Sequence, residues 1–154
     1  MILDRDSRAK SLAVRNCERL SEDAMTDPLR LGVAGLGVVG TSLIRLLQRQ
    51  RAAFIARAGR GYAVTAYSAR RKGDRGVDLG DALFFDDAAA LAASADIDVF
   101  VELIGGADGI AFAAVKAALG RGVSVVSANK AMLAAHGLEL ATLAEGRGAD
   151  AAWH

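Results

Sequence analysis

The chain of 154 residues carries nearly balanced charge, +1 at pH 7, and is 53% hydrophobic but only 5% aromatic. That is enough for one domain with a real core, and it excludes an overall electrostatic pull toward nucleic acid or a membrane surface. No apolar run approaches a membrane span, the single Cys17 cannot close an intrachain disulfide, and no cluster has metal-ligand spacing, so the expected setting is the reduced cytoplasm with no metal site.

Residues 1–24 hold five bases and five acids with no sustained period. They lack the apolar core of a signal peptide, and the acids argue against a transit peptide. Met25-Thr26-Asp27-Pro28 resembles a natural start. Residues 1–27 are therefore expected to be a disordered extension, and 28–154 the folded domain. The competing reading is a short amphipathic helix using Leu12, Ala13, Asn16 and Leu20.

The run from Leu29 to Ala34 predicts a buried strand. The turn Gly35-Leu36-Gly37-Val38-Val39-Gly40 and a helix from Thr41 follow. Strand, glycine turn and helix in that order open a dinucleotide-binding fold. Gly35 permits the tight turn, Gly37 lets backbone approach a pyrophosphate, and Gly40 allows close packing of helix on strand. The helix N-terminus adds unpaired N–H groups and the positive end of its dipole. The glycine pattern alone is weak and also fits a turn with no ligand, so the flanking elements carry the reading. Helical spacing places Val39, Leu43, Leu46, Leu47 and Phe54 on one inward face. Gly59 and Gly61 end the helix, and Tyr62–Ser68 reads as a second strand.

Ala69-Arg70-Arg71-Lys72 follows that strand. An acid near this point would hold the ribose 2′-hydroxyl of NAD, whereas an arginine accommodates the 2′-phosphate of NADP. Three bases precede the first acid, Asp74, and guanidinium groups suit phosphate because their fork donates paired hydrogen bonds. NADP preference is the expectation, with NAD possible; an exposed basic loop with no ligand is the bland alternative. The gap from Gly40 to Arg70 exceeds the usual ~20 residues, so the first helix or its exit is extended. Nine bases and one acid lie between Arg45 and Arg75, then eight acids and no base from Gly76 to Asp108, much of it solvated surface.

Ala82–Phe85 predicts a short third strand, with Asp86 or Asp87 capping a helix over Ala88–Ala93. Ile97–Ile104 reads as a fourth strand ending at Gly105-Gly106, a turn that lets backbone pass close to a cofactor. Glu102 inside it is expected to make an ion pair or backbone hydrogen bonds rather than to catalyse. A helix from about Gly109 to Leu119 places Ile110, Ala114, Val115 and Ala118 inward. Val123–Val126 is the fifth strand, Ser127-Ala128-Asn129-Lys130 its carboxyl end, and a helix runs from about Gly137 to Glu145 with Leu140, Leu143 and Ala144 in register.

These elements predict an α/β domain of the Rossmann type: a doubly wound, mostly parallel sheet with helices on both faces. Gly35–Gly40, Arg70–Lys72, Gly105-Gly106 and Ser127–Lys130 each follow a strand, so all four should meet at the carboxyl edge of the sheet, where ligands bind in open parallel folds.

The glycine turn, Asp96-Ile97-Asp98-Val99-Phe100-Val101-Glu102-Leu103-Ile104-Gly105-Gly106 and Ser127-Ala128-Asn129-Lys130-Ala131-Met132-Leu133-Ala134-Ala135-His136-Gly137 together resemble the N-terminal half of homoserine dehydrogenase. The likeness covers about Pro28 to Gly148. It implies an NAD(P)-linked interconversion of L-homoserine and L-aspartate 4-semialdehyde, a step toward threonine, methionine and isoleucine. By resemblance Leu36, Gly37, Val38 and Val39 contact the cofactor and Arg70 reads its 2′-phosphate. Ser127 stands where the family usually has threonine. Lys130 matches a lysine beside the nicotinamide and substrate, where it can bond the amide or stabilise a carbonyl oxygen as it gains charge. His136 belongs to the motif without an expected catalytic role.

The family's substrate and dimerisation domain, with its general acid-base lysine, is expected beyond this chain, so no catalytic residue is assigned here. The resemblance implies a small-molecule substrate and a homo-oligomer for the full-length protein. Alternatives are the cofactor domain of another reductase of the same metabolism, such as dihydrodipicolinate reductase or aspartate dehydrogenase, and a dinucleotide-sensing module without chemistry. The Asn129-Lys130 segment favours the first reading. Aromatic platforms for single-stranded nucleic acid are lacking.

Overall fold

Six parallel strands form one sheet in the computed structural model, which describes residues 27–73 and 76–153. The readings made for residues 1–24 lie outside the described residues. The strands are β1 (Leu29–Ala34), β2 (Tyr62–Ser68), β3 (Leu83–Phe85), β4 (Val99–Glu102), β5 (Ser124–Ser127) and β6 (Ala151–Trp153). Their spatial order is β3-β2-β1-β4-β5-β6, so the winding reverses between β1 and β4. The crevice at such a reversal is where this class of sheet receives a ligand. The fold class expected from sequence is the one observed.

The helices are α1 (Val38–Arg49), α2 (Arg51–Ala58), α3 (Ala88–Ser94), α4 (Ile110–Gly120) and α5 (Lys130–Arg147). Side chains alternate across a strand, and the central strands feed two cores. Val33, Tyr67 and Val101 meet Leu36 and Ile44 on the α1 face. Ala34, Ala66 and Phe100 meet α3, α4 and α5 on the other, through Leu91, Val115, Leu119, Met132 and Leu140.

Several elements differ from their expected form. The buried stripe of α1 is Gly40 and Ile44, flanked by half-buried Leu43 and Leu47, whereas Val39 and Leu46 are 60% and 45% exposed. Hydrophobicity alone left two adjacent faces open, and the close approach at Gly40 selects the one beneath it. The extension after α1 is a second helix offset by a break at Gln50, ended by Gly59 with φ +66. Arg45 and Gln48 of α1 donate to the carbonyls of Gly76 and Asp78, pinning the long β2–β3 connection. On α4, Ile110 is 61% exposed and Ala111 takes the inward place.

Strand β4 spans only Val99–Glu102, because the chain turns away at Leu103 after one last bond from its N–H to Ala34. Strand β5 is shifted by one residue toward Ser127. Helix α5 begins at Lys130, well before Gly137, because Asn129 caps it and Ala131–His136 are compatible with helix; Gly137 in its interior does not break an 18-residue helix held by packing. Strand β6 was not anticipated: its short Ala-Ala-Trp run pairs with β5 only in the folded chain.

At the amino edge of the sheet, Arg30 clamps β1 to the β4 entry. Its Nε and Nη2 donate to Asp98 at 3.1 and 2.7 Å, and it also pairs with Asp96. The guanidinium holds the Asp98 carboxyl below its usual range, against the opposing effect of desolvation.

Candidate functional site

Strand register brings chemistry-bearing residues to one level at the carboxyl edge. Phe85 lies beside Ser68, Ser68 beside Ala34, Ala34 beside Glu102, Glu102 beside Ser127, and Ser127 beside Trp153. The four segments singled out in the sequence leave the sheet from this row.

Above β1 and β2 is a cleft of about 460 Å³ lined by Gly35, Leu36, Gly37, Ser68, Ala69, Arg70, Asp86, Asp87, Ala88, Leu103, Ile104 and Ile110. A larger hollow of about 760 Å³ lies beside β2 and the Asp78–Ala82 segment and touches none of the four rim segments. The rim cleft is therefore the candidate, on position rather than size.

The glycine turn has the shape a phosphate cradle needs. Gly35 has φ +100, and a Cβ there would sit 2.6 Å from the Leu103 carbonyl oxygen. A Cβ on Gly40 would sit 2.1 Å from the Gly35 oxygen, so only glycine lets α1 rest on the turn. Gly37 is different: a Cβ there would meet no protein atom within 4 Å, and the space stays open to a ligand. Gly37 is also the N-cap of α1. It brings no capping side chain, and the first turn contains no acid. The amino-terminal N–H groups and the positive dipole end thus keep their attraction for an anion. Val38, 84% exposed, and Val39 begin the helix at the mouth of this turn.

Ser68 ends β2 with its side chain buried, and Arg70 lines the cleft beyond it. No carboxylate occupies the end of β2. Arg71 is exposed and is not among the cleft-lining residues, and Lys72 lies 5.8 Å over the Phe84 ring, so of the three bases only Arg70 lines the cleft. Asp87 is committed to α3, accepting from the N–H groups of Ala89 and Ala90.

The remaining two segments form a second cluster over β4 and β5. Glu102 is fully buried. It accepts hydrogen bonds from the N–H groups of Ile104 and Gly105 at 2.6 and 2.9 Å and from the Ser127 hydroxyl at 2.5 Å. The expected backbone bonding of this residue is what the fold contains. Asn129 caps α5 by accepting from Met132 N–H at 3.1 Å, while its Nδ2 donates to the Gly106 carbonyl at 2.6 Å. Lys130 is the first residue of α5 and is exposed, as is Gly105. Neither lines the cleft directly; the two clusters meet at Leu103 and Ile104. His136 is half-buried, stacked on Phe112, with Nε2 2.7 Å from Asp108. It anchors α5 to the loop before α4.

Sequence reasoning missed the apolar wall made by Ile104 and Ile110, the cleft position of Asp86, and the bracing role of Asn129. Exposed isoleucines at loop ends carry no periodic signal. Asn129 could have been found as a side-chain cap one residue before a run of helix formers. Among the described residues no grouping of His, Cys, Asp and Glu could hold a metal ion, and no helix is long and apolar enough to cross a membrane.

Residues 35–153 match the family described as homoserine dehydrogenase, NAD binding domain. The homoserine dehydrogenase of Pseudomonas aeruginosa is 39% identical over 121 residues, which is 79% of this chain and 27% of that protein. Among solved structures, a homoserine dehydrogenase from Thiobacillus denitrificans superposes with a TM-score of 0.74 at 30% identity, covering 82% of this chain and 29% of that one. A hyperthermophilic archaeal homoserine dehydrogenase in complex with NADPH shares the fold, with a TM-score of 0.66 at 22% identity over 82% of this chain and 44% of that one. The chain thus spans about a quarter of the length of the curated relatives it matches.

Proposed function

This chain belongs to the homoserine dehydrogenase family through its NAD-binding domain, and from that premise we propose that it holds NADP as the cofactor half of an enzyme interconverting L-homoserine and L-aspartate 4-semialdehyde. The observation that carries the cofactor choice is the end of β2. It presents Ser68 and no carboxylate, and Arg70 lines the same cleft as the glycine turn. A 2′-phosphate at Arg70 gains charge-assisted bonds. A 2′-hydroxyl there finds no acid on β2 to accept its hydrogen bond. The archaeal relative in complex with NADPH agrees with this reading.

In this reading Gly35, Leu36, Gly37 and Gly40 shape the pyrophosphate seat, with Val38 and Val39 at the α1 N-terminus. Arg70, flanked by Arg71, takes the 2′-phosphate. Gly105 and Ser127 frame the opposite nucleoside, and Lys130 stands by the nicotinamide end. When bound, the cofactor supplies or receives the hydride. This chain's part is to bind, orient and keep the reacting face near Lys130, whose ammonium would favour a carbonyl oxygen gaining negative charge. The substrate, its acid-base group, the homo-oligomeric state and the threonine and methionine setting in the cytoplasm belong to the full-length protein and follow from the same proposal.

Calorimetric titration with NADPH and NADH tests it. NADPH should bind more tightly than NADH. Arg70→Ala should weaken NADPH about tenfold or more, the scale of a lost charge-assisted bond, and leave NADH nearly unchanged. Equal affinities for the two, unaffected by that change, would discard the NADP preference.

A further inference from the structure

Glu102 is the one acidic side chain among the described residues with no solvent exposure. It closes β4, a central strand of the parallel sheet, and among the described residues it makes no ion pair. Burying a charge is costly even when it is well hydrogen-bonded, and an apolar residue would pack in such a position without that cost. Stability alone therefore does not account for a carboxylate here. What it orients does.

Its bonds form a closed ring. Oε1 takes the N–H groups of Ile104 and Gly105, at the start of a turn whose two glycines have φ +83 and +88. Oε2 takes the Ser127 hydroxyl. The Ser127 oxygen accepts from Asn129 N–H at 3.0 Å, and Asn129 Nδ2 returns to the carbonyl of Gly106 in the same turn. Asn129 also caps α5, whose first residue is Lys130. A turn of consecutive glycines has no side chains to hold itself in place. Here the ring holds it, and the same ring fixes the helix start that carries Lys130.

The ring lies at the ends of β4 and β5, on the other side of the β1–β4 reversal from Arg70. A dinucleotide with its pyrophosphate at the β1–α1 turn and its 2′-phosphate at Arg70 must lay its second nucleoside over β4 and β5. We infer that Glu102 is a positioning residue for the nicotinamide half of the cofactor, holding the Ile104–Gly106 turn and Lys130 in one frame. The inference rests on the cofactor reading above. It adds that the two halves of the site are separable, with the adenosine half independent of the ring.

The test uses two ligands on the same chain: NADPH, and adenosine 2′,5′-bisphosphate, which lacks the nicotinamide half. Glu102→Ala should weaken NADPH about tenfold, as expected of a small misplacement, and change adenosine 2′,5′-bisphosphate by less than about twofold. Ser127→Ala should show the same split to a smaller degree, and Ser127→Thr, which keeps the hydroxyl, should restore NADPH affinity. If Glu102→Ala does not fold, the Ser127 pair decides. Equal weakening of both ligands, as general damage would produce, overturns the inference, and so does unchanged NADPH binding. Failure of the unaltered chain to bind either ligand overturns the cofactor reading and this inference with it.

Discussion

Three glycines within six residues do different things, and the structure separates them. Gly40 is required by contact, because a Cβ would sit 2.1 Å from a backbone oxygen that cannot move without dragging β1. Gly40→Ala should therefore destabilise the domain by about 1–3 kcal/mol, the range for overpacking. Gly37 has nothing within 4 Å of a Cβ and an ordinary φ of −81. Gly37→Ala should cost at most about 1 kcal/mol of stability, since alanine caps less well than glycine but meets no clash, while reducing NADPH affinity by filling space beside the proposed phosphate seat. Urea unfolding and a cofactor titration on the two variants separate the roles. Loss of stability in Gly37→Ala, with NADPH affinity kept, would reverse the assignment. Gly35 combines both demands, with positive φ and a carbonyl at 2.6 Å.

Among the elements, α1 shows how a helix face is chosen. Its sequence is apolar on more than one side, with Val38, Val39, Leu43, Ile44, Leu46 and Leu47 all candidates. Contact at Gly40 brings the helix axis down on β1 at that point, and positions three and four residues apart share a face. Ile44, four residues on, is then driven into the core with Val33 and Tyr67. Ile44→Ala should cost about 2–4 kcal/mol and Leu46→Ala under about 1, because only the first leaves a cavity. Urea unfolding midpoints measure both; a larger loss at Leu46 would mean the helix is rotated from this packing. Helix α5 makes a parallel point. Asn129 starts it seven residues ahead of Gly137, and that early start is what brings Lys130 to the carboxyl edge.

For the whole molecule, division of labour follows from the topology. The parallel sheet collects all its carboxyl ends on one edge, and that edge holds the glycine turn at the start of α1, Arg70 in the cleft and a braced turn with Lys130 at the start of α5. Hydride transfer also needs a substrate held in near-attack geometry and a proton moved to or from its oxygen. The chain spans 27% of its Pseudomonas relative, and the proposal above assigns the substrate and its acid-base group to the full-length protein. The isolated polypeptide should therefore bind cofactor without turning over. Following NADPH absorbance with homoserine and NADP checks this, and a normal dehydrogenase rate would refute it.

The amino-acid sequence by itself determined the chain order of the first five strands and the helices that follow them, the doubly wound class and the glycine turn, because each rests on local periodicity and on residues whose backbone needs are their own. The same holds for a cap at Asp86 or Asp87, which the fold resolves to Asp87, and for the basic exit of β2. It also limited Glu102 to a bonded structural role, since a carboxylate amid Val99–Ile104 has few other ways to be buried. Only the tertiary structure decided which face of α1 is buried, that Arg70 rather than Arg71 lines the cleft, and that β6 exists. Each depends on what the chain meets across the sheet, and β6 forms only because β5 offers an edge to it. The ring through Glu102, Ser127, Asn129 and Gly106 is the clearest case. Its members are up to 27 residues apart in the chain and adjoin only because β4 and β5 run parallel in register.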